Sequence, residues 1–165
     1  MKHPVAMDTN FKDDGDTPYD TSKPSSFLTY RLSRVQARLN AQAADLLRRH
    51  GGVPLAQWRV LLLLYGGDVS SQKEIVGLAQ FDKGQVSRLV DTLIERGLIS
   101  AKSGGKDKRV RTLSLTDDGT AIVERLIPIM RERQRQLLSV FSAEEQTRLM
   151  EFISRLDGVA DKLDI

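Results

Sequence analysis

Cysteine is absent from the chain and histidine occurs twice, as His3 and His50. Without thiols there is no disulfide, no thiolate metal site and no oxidation switch. Neither histidine has metal-ligand spacing to a second one, so no metal centre is expected. Long apolar runs are lacking as well. No stretch approaches the roughly 18 residues that a membrane span needs, and the opening MKHPVAMDTNFKDD lacks the apolar core of a secretory signal. A cytoplasmic protein with no membrane contact is expected. No glycine-rich phosphate loop follows a strand, and the carboxylates fall in helix caps or on mixed-charge faces. Neither catalysis nor a cofactor is expected. Aromatic residues make up only 5%. Trp58, Tyr65 and Tyr30 could line a ligand pocket, but a tryptophan inside an apolar helix is better read as core.

The 165 residues, 40% hydrophobic and 28% charged, suffice for one sizeable core and not for two independent ones. The formal net charge of +3 is modest, and its distribution says more than its sum. Residues 69–115 carry nine bases against five acids, whereas residues 142–165 carry three bases against six acids. Positive charge therefore gathers in one block, the pattern of a chain with one polyanion-binding face.

Residues 1–24, with Pro4, Pro18, Pro24 and scattered aspartates, have no apolar period and are expected to form a flexible tail. From Phe27, apolar residues recur at helical spacing until Gly51-Gly52 ends the run. Pro54 suits the start of a second helix, apolar on most sides around Trp58 and Leu61 and therefore expected to lie in the core. Ser71-Gln-Lys-Glu74 has capping-box spacing and predicts a short third helix to about Ala79. Asp82-Lys-Gly-Gln85 repeats the device and opens a fourth helix that turns Leu89, Val90, Leu93 and Ile94 inward. A helix, a short turn and a second helix make a helix-turn-helix. Leu98-Ile99 and residues 110–115 read as strands of a hairpin whose tip, Ser103 to Lys108, projects as a wing. Thr116 caps a fifth helix, kinked rather than broken at Pro128. Ser142-Ala-Glu-Glu145 is a third capping box and opens the last helix. The expected fold is thus mainly α with a small β-hairpin: a winged helix-turn-helix over about residues 53–116, flanked by helices over about 27–50 and 117–164. Each flanking helix has an apolar stripe that one small winged domain cannot cover, which predicts pairing with a second copy.

In the fourth helix, Lys83, Gln85, Ser87, Arg88, Asp91 and Thr92 are left to face outward. Arginine can make two hydrogen bonds to guanine and glutamine two to adenine, so Gln85 and Arg88 are read as base contacts. A solvated charged face is the ordinary reading of such positions, and it loses weight only because a basic wing follows the helix. Lys106, Lys108, Arg109 and Arg111 can neutralise phosphates, with Arg109 placed to enter a narrow minor groove. Asp107 would be repelled by phosphate, so it is read as orienting an arginine within the same DNA-binding wing. Ser71, Gln72 and Lys73 can offer amides to a phosphate at the start of the third helix, although capping accounts for Ser71 equally well.

From about Phe27 to Leu163 the chain resembles the MarR family of winged-helix transcription regulators. The resemblance rests on Gln57-Trp58-Arg59-Val60-Leu61, Val86-Ser87-Arg88-Leu89-Val90-Asp91, Glu95-Arg96-Gly97-Leu98-Ile99, and Asp107-Lys108-Arg109 followed by Leu113-Ser114-Leu115-Thr116 and Gly119. It implies a MarR-like domain over residues 25–165 and a homodimer joined through the terminal helices. It also implies a pseudo-palindromic double-stranded DNA operator, with Arg109 at the wing tip and Asp107 as its positioning partner. Members commonly repress nearby genes and release DNA when a small, often aromatic or phenolic, molecule binds. Lys108 departs from the arginine that many members carry there. The competing reading is a winged-helix module that binds a protein partner without sequence-specific DNA recognition.

Overall fold

The computed structural model describes residues 23–79, 81–103, 111–160 and 162. After a short turn, Pro24–Ser26, come helices α1 (Leu28–Gly51), α2 (Leu55–Gly66), α3 (Gln72–Ala79) and α4 (Lys83–Glu95). Strands β1 (Ile99–Ser103) and β2 (Arg111–Leu115) follow, then helices α5 (Asp117–Leu138) and α6 (Ala143–Ala160). The mainly helical class with one hairpin is the one the periodicity predicts. Two compact units divide the chain, residues 1–45 and 46–165, with the boundary inside α1.

In the first unit the turn is closed by the Phe27 N–H, which donates to the Pro24 carbonyl at 3.2 Å. Leu28, Tyr30, Leu32 and Val35 are exposed along α1 although they have the spacing of a buried stripe. The Arg34 guanidinium lies 5.9 Å from the centre of the Tyr30 ring.

In the second unit α2 and α4 supply the centre of the core. Trp58, Val60 and Leu61 from α2 are buried with Val86, Val90 and Leu93 from α4, and Ile75, Leu98, Leu113, Val123 and Leu126 close around them. Each such side chain contributes about 1.5–3 kcal/mol when taken out of water. The apolar face of α4 turns inward as expected, with Val86, Val90 and Leu93 fully buried at its centre and Leu89 and Ile94 half-buried. Helix α2 is less enclosed than its composition suggests. Its Leu62 and Tyr65 are both 41% exposed, while Gln57, Trp58, Val60 and Leu61 are buried.

The hairpin is antiparallel, from Ile99 opposite Leu115 to Ser103 opposite Arg111. Strand β1 runs further than the predicted Leu98-Ile99. Ala101, Lys102 and Ser103 have weak strand preference, and pairing with β2 carries them into the ladder. The Ser100 and Ser114 hydroxyls meet across it at 2.9 Å. The Leu113 N–H donates to the Ser70 carbonyl at 2.8 Å, which ties the base of the wing to the segment before α3. Helix α5 starts at Thr116, whose hydroxyl oxygen accepts the Gly119 N–H at 3.0 Å, and it runs unbroken through Pro128. The capping box at Ser142 is reciprocal: the Glu145 carboxylate accepts the Ser142 N–H at 2.8 Å, and the Ser142 hydroxyl oxygen accepts the Glu145 N–H at 3.3 Å. Beyond it, every residue from Met150 to Ala160 is exposed, including Phe152, Ile153, Leu156 and Val159.

Candidate nucleic-acid interface

Helix α3, helix α4 and the first residue of β2 surround an open groove of about 850 Å³. Ser71, Gln72, Lys73 and Val76 line it from α3 and its cap, Lys83, Ser87 and Asp91 from α4, and Arg111 from β2. Six of the residues picked from the sequence thus share one depression, although 40 positions separate Ser71 from Arg111. Three of them are cations, which suits a groove that receives a phosphate backbone. Asp91 also lines the groove, on the same face of α4 as Lys83 and Ser87.

The opposite flank of α4 is different. Gln85, Arg88 and Thr92 line a smaller cleft of about 320 Å³ with Ala56, Phe81 and Leu89. The two proposed base readers therefore stand apart from Lys83 and Ser87, on the other side of the helix. Arg88 is exposed, and its own carbonyl accepts the Thr92 hydroxyl at 2.8 Å, one helical turn on. Phe81 is held in the connecting turn under the Arg59 guanidinium, 6.0 Å from the ring centre. This contact ties the residue before the α4 cap to α2, and a lone phenylalanine carries no motif that would mark it in the sequence.

Local hydrogen bonds set the starts of α3 and α4. The Asp82 carboxylate accepts the Gln85 N–H at 2.8 Å and caps α4 as its spacing predicts. At α3 the cap reaches one residue further back than expected. The Glu74 carboxylate accepts the Ser70 N–H at 2.8 Å, the Ser71 hydroxyl at 2.9 Å and the Ser70 hydroxyl at 3.2 Å. The Ser70 amide, and then the Ser71 hydroxyl, hold this carboxyl below the ordinary carboxylate range. The proton of the Ser71 hydroxyl is thereby committed inside the cap, so Gln72 and Lys73 are the better donors to a phosphate there. Lys106, Asp107, Lys108 and Arg109, the wing-tip candidates, lie outside the described residues.

The C-terminal end of α4 is fastened on two sides. The Thr116 hydroxyl donates to the Gly97 carbonyl at 2.7 Å, and the Thr116 N–H donates to the Leu98 carbonyl at 3.1 Å. Gly119 packs so tightly against the same turn that a Cβ would stand 2.0 Å from the Leu98 carbonyl oxygen. Helix α4, the hairpin and α5 therefore meet in one junction. Among the described residues no group of three His, Asp or Glu side chains is arranged to hold a metal, and no helix is long and apolar enough to cross a membrane.

The sequence profile of the MarR family matches residues 51–110, from the end of α1 to the wing. Over this segment the chain is similar to the MarR family. An uncharacterised HTH-type transcriptional regulator of Bacillus cereus is 28% identical over 141 residues, covering 85% of this chain and 93% of the relative. The HTH-type transcriptional regulator PecS of Dickeya dadantii is 29% identical, over 82% of this chain and 76% of its own length. Among solved structures, a MarR/EmrR family transcriptional regulator from Acinetobacter sp. ADP1 superposes with a TM-score of 0.75 at 25% identity, over 82% of this chain and 95% of that one. Staphylococcus aureus MepR in a DNA complex reaches the same TM-score of 0.75 at 21% identity, over 84% and 99% of the two chains, and so shares the fold.

Proposed function

We propose that this chain is a cytoplasmic, sequence-specific DNA-binding transcription regulator, a ligand-responsive repressor that holds a pseudo-palindromic operator as a homodimer. The observation that carries the reading is the surface of α4. Arg88 is exposed on it, and one flank borders a groove lined by Lys73, Lys83 and Arg111. Such a helix can enter the major groove while the cations along that flank take the phosphates beside it. The MepR structure, solved with DNA, lends the same reading a shared architecture.

In this reading residues 53–116 read DNA, and residues 27–50 and 117–164 join two copies. Gln85 and Arg88 contact base edges. Gln72, Lys73, Lys83, Ser87 and Arg111 position the duplex through its backbone, with the Ser71 amide beside them. Arg109 enters the minor groove, Asp107 orients it, and Lys106 and Lys108 take phosphates. A small aromatic or phenolic molecule is the effector that releases the DNA.

The test is a titration against the duplex that the wild-type protein enriches most strongly from a random-sequence pool. Selective binding of that duplex over random DNA is expected. Arg88→Ala should cost roughly 1–3 kcal/mol on the selected duplex and little on random DNA. A wild type with no preference for any duplex would instead point to a winged-helix module that binds protein.

A further inference from the structure

Gln57 is the one polar residue buried in the core among the described residues, at 7% exposure. A buried amide without a partner is costly, and here the partner arrives from the far end of α4. The Arg96 guanidinium donates through Nη1 to Gln57 Oε1 and through Nη2 to the Gly52 carbonyl, the latter at 3.2 Å. Gly52 is the residue that follows α1, with a φ of 62°. It is closed back by its N–H donating to the Arg48 carbonyl at 3.1 Å. Next to it Val53 is fully buried, and Gln57 lies in the first turn of α2. One planar fork thus grips the end of one helix and the start of another, which the point charge of a lysine cannot do with the same geometry.

Arg96 is the C-cap of α4. The two residues after it are fixed from the other side by Thr116, through the Gly97 and Leu98 carbonyls. The recognition helix is therefore set at its C-terminal end between the α1–α2 junction and the start of α5, while Asp82 caps its other end by a bond within the same segment. Geometry magnifies this. Helix α4 is 13 residues long, so a tilt of about 5° about residue 96 moves its first turn by about 1.7 Å at 1.5 Å of rise per residue. Base contacts tolerate roughly 0.5 Å.

We propose that Arg96 is a positioning residue for selective DNA binding, setting the angle of α4 by bridging Gln57 and the Gly52 carbonyl. The inference rests on the DNA-binding reading above. It makes the Arg96 fork the route by which a shift at the α1–α2 junction reaches Arg88, without Arg96 touching DNA.

The experiment uses the full chain and compares wild type, Arg96→Ala, Arg96→Lys, Gln57→Met and the Arg96→Ala/Gln57→Met double variant. Circular dichroism and thermal melting first establish that each is folded at the assay temperature. Each is then titrated with the duplex enriched by the wild type and with a random duplex, at several salt concentrations. Arg96→Ala is expected to lower the selected-to-random affinity ratio by roughly 3- to 30-fold, with Arg96→Lys intermediate. Gln57→Met, which keeps side-chain volume and removes the acceptor, should move the ratio in the same direction. The double variant should be no worse than the stronger single one, since both break the same bridge. Affinity for the random duplex and its salt slope should stay at wild-type values. A folded Arg96→Ala or Arg96→Lys protein with undiminished selectivity overturns the proposal. Equal loss on both duplexes with a salt slope shallower by about one unit also overturns it, because that is the mark of a direct phosphate contact. Strict additivity in the double variant does the same. A wild type without selectivity overturns the DNA-binding reading itself, and this inference with it.

Discussion

Gly119 illustrates how much one side chain can decide. It lies in the first turn of α5, where its N–H donates to the Thr116 hydroxyl oxygen at 3.0 Å. The atom that a Cβ would strike is the Leu98 carbonyl oxygen, and that oxygen is already fixed by the Thr116 N–H at 3.1 Å. Backbone in such a position cannot swing aside as the end of a flexible side chain can. Gly119→Ala should therefore push α5 away from the turn after α4, at about 1–3 kcal/mol, the usual cost of overpacking. Denaturant titration measures it as a lower midpoint, and an unchanged midpoint would mean that the turn is softer than its hydrogen bonds imply. Arg96 and Gln57 are the opposite kind of residue. Both belong to short segments that carry the family resemblance, yet 39 positions separate them, and no periodicity or spacing in the sequence says that they meet. A contact made by the tertiary fold is legible only once the helices that bring it together are in place.

Elements whose logic is local were legible in the sequence, because a cap is decided within one turn. Asp82 with Gln85, Thr116 with Gly119 and Ser142 with Glu145 all close over a separation of three residues. The two flanks of α4 were not. Spacing assigns Lys83, Gln85, Ser87 and Arg88 to the outside, but which of them meets α3 and which meets Phe81 depends on how neighbouring helices cross. The α3 cap lies between these cases, since the partner type was foreseen and the Ser70 amide was not. That cap carries a pH signature. The Ser70 N–H and the Ser71 hydroxyl hold the Glu74 carboxyl below its ordinary value, so the folded state binds a proton less readily than the unfolded chain. The stabilisation is full above the unfolded value of about 4.5 and is lost as pH falls through the lower folded value. Thermal midpoints between neutral pH and pH 3 should thus fall more for the wild type than for Glu74→Gln, which has no proton to gain. Parallel curves for the two proteins would remove Glu74 from the acid transition. Glu132 and Glu144 are shifted in the same direction, which makes the difference between the two proteins, rather than either curve alone, the informative quantity.

The whole molecule is decided by faces that one copy leaves open. On α6, Met150, Phe152, Ile153, Leu156 and Val159 recur at helical spacing and are between 40% and 57% exposed. Exposed apolar side chains are common singly, but a stripe along one helix marks a surface that is covered by something else. In the homodimer proposed here it is covered by a second copy, which would hold two α4 helices about 34 Å apart, one turn of DNA. The prediction follows from the chemistry of the stripe. Phe152→Asp with Ile153→Asp places two carboxylates where apolar contact is expected, and burying them unpaired costs several kcal/mol. The dimer dissociation constant, read by sedimentation, should rise on the order of 100-fold or more, since each 1.4 kcal/mol is tenfold. Helical content should be retained, because both residues are exposed within one chain and take no part in its core. DNA binding should then change in a particular way. A single α4 still reads a half-site, so weak binding to a half-site duplex persists, whereas the full palindrome loses the roughly 10²- to 10⁴-fold gain that linking two sites confers. If the doubly substituted protein stays dimeric with full palindrome affinity, the pairing does not run through α6, and the stripe on α1 at Leu28, Leu32 and Val35 becomes the surface to substitute next.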